Sequence, residues 1–174
     1  MATYRLVPHP DHPPLTASEV QVKVLAGIAH VLLTYSVLRA DKVLPQPCLA
    51  AKRTDGLWRT TCFELFLRLD DRRYVEFNFS PSTRWAAYGF SDYRAGMSPL
   101  PCDVDPVIER LHDGIEVDCD LGGLPSGALA MSLSAVIEEE GGVKSFWALT
   151  HAPGPPDFHN PACFTARLPA PPRA

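Results

Sequence analysis

Paired cysteine motifs are missing from this chain. Its five cysteines, Cys48, Cys62, Cys102, Cys119 and Cys163, are scattered and odd in number, with no CxxC unit. That spacing excludes a zinc ribbon and a disulfide framework. No stretch reaches the roughly 18 consecutive apolar residues of a membrane-spanning helix, so no membrane contact is expected. The N-terminal Met-Ala-Thr-Tyr-Arg-Leu-Val-Pro-His-Pro lacks the apolar stretch of a secretory signal. A cytoplasmic location with reduced thiols follows as the expectation. Positive charge is also short: sixteen lysines and arginines stand against twenty carboxylates, a net charge of −4. With no basic stripe to offset it, nucleic acid is not an expected partner. Capped helical periodicity is absent. So are GxSxG, HExxH, the P-loop and a GxGxxG after a strand, which leaves little basis for nucleophilic or nucleotide chemistry.

What the 174 residues do contain is short strands and turn residues. Apolar residues make up 46% and charged residues 21%, ordinary for one globular domain. Val20, Val22 and Val24 alternate with Glu19, Gln21 and Lys23. Gly27 precedes an apolar run, and within it residues 29–38 favour a strand through their valine, threonine and tyrosine content. Asp55-Gly56 precedes a strand starting at Trp58. His112-Asp113-Gly114 separates strands at 106–111 and 115–121, and Asp-Gly suits the primed turns of hairpins. Gly141-Gly142 separates 128–137 from 143–150, and a last strand spans 164–168. Eighteen prolines suit long ordered connections such as 44–54 and 96–105. The expected fold is all-β, an antiparallel, jelly-roll-like β-sandwich of roughly ten strands, with one domain over 1–168 and a disordered tail over 169–174.

The densest chemistry lies between Trp58 and Met97. Alternation sorts Phe63, Leu65, Leu67, Leu69, Val75, Phe77 and Phe79 onto one face of a hairpin. Glu64, Arg68, Tyr74, Glu76, Asn78 and Ser80 fall on the other. A connection near Asp70-Asp71-Arg72 sets Glu64 opposite either Glu76 or Asn78, about 5 Å apart at Cβ if directly opposed. Arg59, Arg68 and Arg84 are the nearby cations. A solvated sheet face with salt bridges is the plainer reading. The next segment supplies Trp85, Tyr88, Phe90, Tyr93 and Arg94, rings and donors suited to stacking on sugars, although Trp85 and Phe90 also read as core. A third cluster, Phe146 to His159, offers His151, Asp157 and His159 as nitrogen and oxygen ligands for a metal, or as a structural loop bonded to backbone.

Three segments together resemble the bacterial DOMON-like proteins, relatives of the family 9 carbohydrate-binding modules. They are Trp58-Arg59…Cys62-Phe63-Glu64-Leu65-Phe66; Tyr74…Glu76-Phe77-Asn78-Phe79-Ser80-Pro81…Trp85-Ala86…Tyr88…Phe90…Tyr93-Arg94…Met97; and Trp147-Ala148-Leu149-Thr150-His151…Pro156-Asp157-Phe158-His159. The resemblance implies a β-sandwich that binds a ligand on a sheet face or at its rim, with sugar and haem both found in the wider superfamily. It carries over Arg59, Glu64, Glu76, Asn78, Trp85, Tyr88 and Arg94 as ligand-binding positions, and the third cluster adds His151 and His159. The expected function is a non-catalytic domain for a small carbohydrate or sugar-like metabolite, with no required cofactor and no protein partner indicated. One alternative is a glycoside-acting hydrolase that uses Glu64 and Glu76. Another is a haem carrier, with His30, His112, His151, His159 and Met97 as available axial ligands.

Overall fold

A computed structural model describes residues 1–125 and 129–168. The tail expected at 169–174 and the first residue of the strand expected at 128–137 lie outside the described residues. The strands are β1 (Ala2–Pro8), β2 (Glu19–Ala26), β3 (His30–Leu38), β4 (Lys52–Arg53), β5 (Cys62–Arg68), β6 (Tyr74–Phe79) and β7 (Arg84–Phe90). They continue as β8 (Ser98–Pro99), β9 (Val107–Arg110), β10 (Gly114–Asp120), β11 (Ala130–Glu139), β12 (Val143–Ala148) and β13 (Ala166–Arg167). Among the described residues the helical pieces are three 3-10 turns of three residues each. The fold is all-β, as the alternating patterns predict.

One hydrogen-bonded path runs β4-β7-β6-β5-β11-β12-β1-β2-β3-β10-β9, with β8 beside β7 and β13 beside β11. The pairings are antiparallel apart from the two-residue contact of β4 with β7. The path turns over at β1. Ala2–Leu6 pair with β2, whereas Val7 and Pro8 pair with β12. The sheet thus folds onto itself as two layers around one apolar core. Val20, Val22, Val24, Val31, Leu33 and Tyr35 face inward from one layer, and Phe63, Leu65, Leu67, Val75, Phe77 and Phe79 from the other. Each fully buried aliphatic or phenyl side chain contributes about 1.5–3 kcal/mol relative to exposure. The Tyr35 hydroxyl crosses the core and donates to the Glu64 carbonyl at 2.7 Å.

Two turns differ from the sequence reading in their cause. Strand β5 begins at Cys62 rather than Trp58, because Gly56 adopts φ 77° and starts a 3-10 turn over Leu57–Arg59. The β9–β10 hairpin forms as expected, yet its glycine is not there for a primed turn. A Cβ on Gly114 would lie 1.8 Å from the Tyr35 carbonyl oxygen, so close packing against β3 excludes any side chain. Between β11 and β12 the expected logic does hold: Gly141 and Gly142 sit at φ 75° and 76°, a region that favours glycine. All five cysteines are free thiols.

Candidate functional site

The outward face of β11, β5, β6 and β7 is not a solvated surface. In one row across these strands, Ser134 lies opposite Glu64, Glu64 opposite Asn78, and Asn78 opposite Ala86. In the next, Ser132 lies opposite Phe66, Phe66 opposite Glu76, and Glu76 opposite Tyr88. Glu64 is therefore paired with Asn78, and Glu76 is its diagonal neighbour, roughly 7–8 Å away along the backbone. Small side chains at Ser134, Ala86 and Ala148 leave space above the first row. Three loop segments wall that space: the turn bearing Trp58, the segment with Arg94 and Met97, and the segment with Pro156, Phe158 and His159. The result is a cleft of about 530 Å³, also lined by Glu64, Phe66, Glu76, Tyr88, Phe90 and Phe146. Such dimensions, with apolar walls and a few convergent polar groups, are those of a small-molecule site.

Electrostatics concentrate at the floor. Glu64 is 2% exposed and accepts from the Ser134 hydroxyl at 2.7 Å. Glu76 is 5% exposed and accepts from the Asn78 amide at 2.8 Å. Burial pushes the Glu64 carboxyl well above the ordinary carboxylate range, with repulsion from Glu76 adding to it and the Ser134 bond only partly offsetting it. Burial raises Glu76 too, against the lowering effects of the Asn78 bond and Arg94. His159 packs among Phe66, Tyr74 and Phe90, with ring centroids 5.3, 5.8 and 5.1 Å away. That burial, with Arg94 nearby, lowers its imidazole to about 4, so it is neutral at pH 7. The Tyr74 hydroxyl accepts from the Arg94 backbone N–H at 3.2 Å and lies 2.8 Å from His159 Nδ1. The other ring nitrogen, Nε2, lies 3.9 Å from Glu76 Oε2.

The rim is held by Asp157. It accepts from Arg94 Nε at 3.1 Å and Nη2 at 2.7 Å, from the Tyr93 hydroxyl, and from the His159 backbone N–H at 3.2 Å. Arg94 itself sits at φ 51°, a left-handed conformation uncommon for a non-glycine residue and frequent at ligand sites. Across the mouth, Trp58 meets Tyr88 edge-on at 6.1 Å, and the Tyr88 hydroxyl donates to Asp55 at 2.8 Å.

Of the nine residues expected to bind ligand, Glu64, Glu76, Tyr88, Arg94 and His159 line this cleft. Asn78 lies fully buried in the floor beside them. Trp85 does not join them. It is 1% exposed in the core between the layers, with the Arg53 guanidinium 4.4 Å above its ring. Trp85 and Tyr88 are three positions apart on one strand, so alternation sends them to opposite faces. Arg59 is exposed outside the cleft lining, and its carbonyl accepts from Lys144 Nζ. His151 sits apart, with Nε2 against the Val7 carbonyl at 2.9 Å and its ring 4.8 Å from His9. His151, Asp157 and His159 do not converge. Among the described residues no group of three or more His, Cys, Asp or Glu side chains is placed to hold a metal ion. Of the side chains considered for haem, Met97 and His159 line the cleft.

Several cleft residues escaped the sequence reading. Phe66 shares the parity of Glu64, so the rule that placed Glu64 on the polar face also placed Phe66 there. Trp58, Phe146, Pro156 and Phe158 come from a turn, a strand and a loop whose convergence no local pattern encodes. Ser134 could be found only by knowing that β11 pairs with β5.

Neither a protein-family model nor a curated protein matches the sequence. Among solved structures, the chain is similar to a crystal structure from Bacteroides uniformis, of a protein provisionally named as carbohydrate-binding. The two share 16% identity over 94% of this chain and 84% of the other, with a TM-score of 0.68. At that identity the likeness establishes a shared fold: this chain has the all-β architecture of that Bacteroides protein.

Proposed function

We propose that this chain is a non-catalytic binding domain for a small carbohydrate or sugar-like metabolite, held in the cleft over β5, β6 and β7. The observation that carries this reading is the cleft's composition: buried hydrogen-bonding groups at the floor, Glu64, Glu76 and Asn78, beneath aromatic walls that include Trp58 and Tyr88. Flat rings with polar neighbours suit the apolar faces and hydroxyls of a sugar. The naming of the Bacteroides uniformis protein supports the same ligand class, and kinship with DOMON-like proteins and family 9 modules belongs to this proposal. In it, the stacking role first given to Trp85 passes to Trp58. Isothermal calorimetry against mono- and disaccharides tests the reading. One site per chain and a loss of about tenfold or more in affinity for Trp58→Ala are expected, since removing one stacked or hot-spot ring costs more than about 1.4 kcal/mol. No binding across the panel, or an unchanged affinity in Trp58→Ala, overturns it.

One observation favours a second reading, glycoside hydrolysis. Among the described residues no arginine is ion-paired to Glu64 or Glu76, both face the cleft, and both are raised in the manner of catalytic acids. Release of nitrophenol from a panel of nitrophenyl glycosides, lost in Glu76→Gln, would support it; no release would end it. Haem has weaker support. Met97 and His159 share the cleft, but both His159 nitrogens already face partners, Tyr74 and Glu76. Absence of a Soret shift on adding haem would dispose of that reading.

A further inference from the structure

The charges of the cleft do not balance, and the imbalance narrows the ligand. Glu64 and Glu76 each take one hydrogen bond from a neutral donor, the Ser134 hydroxyl and the Asn78 amide. Among the described residues neither carboxyl has an ion pair with lysine or arginine, and the nearest nitrogen base is His159 Nε2, 3.9 Å from Glu76. The Arg94 guanidinium lies at the same cleft but is already engaged by two nitrogens on Asp157. Phe66, Tyr88, Phe90 and Trp58 line the space around the carboxyls. Carboxyls with no cation paired to them, in a cleft lined by aromatic rings and whose arginine is held by Asp157, form an environment that recognises an organic cation. The anions supply Coulomb attraction, and ring faces add cation–π attraction.

We propose that the sugar-class ligand of this cleft carries a protonated amine, seated between Glu64 and Glu76. The inference rests on the carbohydrate reading for the ligand's scaffold and on the unmatched carboxyls for its charge. A neutral sugar entering the cleft gives the two buried acidic groups no compensating charge, whereas an ammonium group does. Burial holds both carboxyls partly protonated in the free protein, with repulsion from Glu76 adding to it at Glu64. An arriving cation favours the ionised forms, so binding releases protons to the solvent. His159, neutral and bonded to Tyr74, adds no competing positive charge.

The test is calorimetry near neutral pH with four probes: glucosamine, N-acetylglucosamine, glucose and the non-sugar amine phenethylamine, each in two buffers of different ionisation heat. Glucosamine is expected to bind at least about tenfold more tightly than its acetylated and neutral counterparts, because hydrogen bonds to charged groups exceed neutral ones. Its binding heat should depend on the buffer as proton release requires. Glu64→Gln and Glu76→Gln, which keep shape and remove charge, should abolish that preference. Glucose or N-acetylglucosamine binding as tightly as glucosamine overturns the amine inference and leaves the carbohydrate reading in place. Phenethylamine matching glucosamine, with proton release, retains the amine and overturns the sugar scaffold. Failure of all four to bind overturns both.

Discussion

Glu64 and Glu76 make the folded protein a stronger base than its unfolded chain. Both carboxyls are raised above the ordinary value of 4.5, so above that pH the folded state holds protons that the unfolded chain has released. Stability therefore falls as pH rises through the raised values. His159 acts in the opposite sense and in a different window. Lowered from 6.5 to about 4, it makes the unfolded chain the better proton acceptor between those values, so its contribution is lost as pH falls. Between pH 6.5 and about 8 the histidine has no further effect and the raised carboxyls dominate, the buried thiols with their ordinary value of 9 entering only above that window. Urea unfolding should then show stability declining between pH 6.5 and about 8, by up to about 1.4 kcal/mol per pH unit per proton, with the carboxyl contribution levelling off beyond. The double variant Glu64→Gln/Glu76→Gln should flatten that decline, and an equal slope in both proteins would contradict the assignment. The tryptophans give a second residue-level contrast. Trp85→Ala removes a ring from the core and should cost about 3–5 kcal/mol of stability. Trp58→Ala, at a ring 40% exposed and outside the core, should cost clearly less than Trp85→Ala. Equal losses in the two variants would refute the placement of Trp85 in the core and Trp58 at the cleft. Alternation already separated Trp85 from Tyr88, because positions 85 and 88 differ in parity; aromatic composition obscured it.

Strand identity and pairing were legible wherever the determining signal is local. Valines at 20, 22 and 24 announce β2, and glycines at 141 and 142 announce the turn after β11. The β5–β6 turn likewise follows from Asp70, whose carboxylate accepts from the backbone N–H groups of Arg72 and Arg73 at 2.9 and 2.7 Å. Features that depend on distant partners were hidden. Glu139, at the end of β11, is fully buried and accepts from the backbone N–H groups of Leu15, Thr16 and Ala17 and from the Thr16 hydroxyl, at 2.6–3.0 Å. It ties the β1–β2 connection to the other layer across more than a hundred residues of sequence. No pattern near Glu139 distinguishes it from the exposed Glu140 beside it. Glu139→Ala leaves several donors without an acceptor and should cost about 2–3 kcal/mol or more in chemical unfolding. A loss under about half a kcal/mol, the usual effect of a surface change, would show that water replaces the carboxylate without penalty.

The whole molecule is a single folded-over sheet, and that topology explains where the cleft lies. Because β1 joins both layers, the inner faces close on one core and the outer face of β11, β5, β6 and β7 is left to the loops. The 3-10 turn at Leu57–Arg59, the 91–97 segment and the 151–160 segment close over it. Hydrophobic patterning reveals the inner face, since the long strands alternate toward it. The outer site depends on how three loops converge: its floor, Glu64, Glu76 and Asn78, and the wall residues Tyr88, Arg94 and His159 could be named from sequence, but not that they meet Trp58, Phe146, Pro156 and Phe158 around one cleft. A ligand bound only by the folded state also stabilises it, by mass action. The central claim is that a sugar-like molecule enters this cleft and contacts Trp58, while Trp85 and Trp147, 1% and 2% exposed, stay in the core. Tryptophan fluorescence titrated with a saccharide series that includes glucosamine tests it most directly. The account predicts a saturable change in emission that disappears in Trp58→Phe; no change across the series, or the same change in Trp58→Phe, would contradict it.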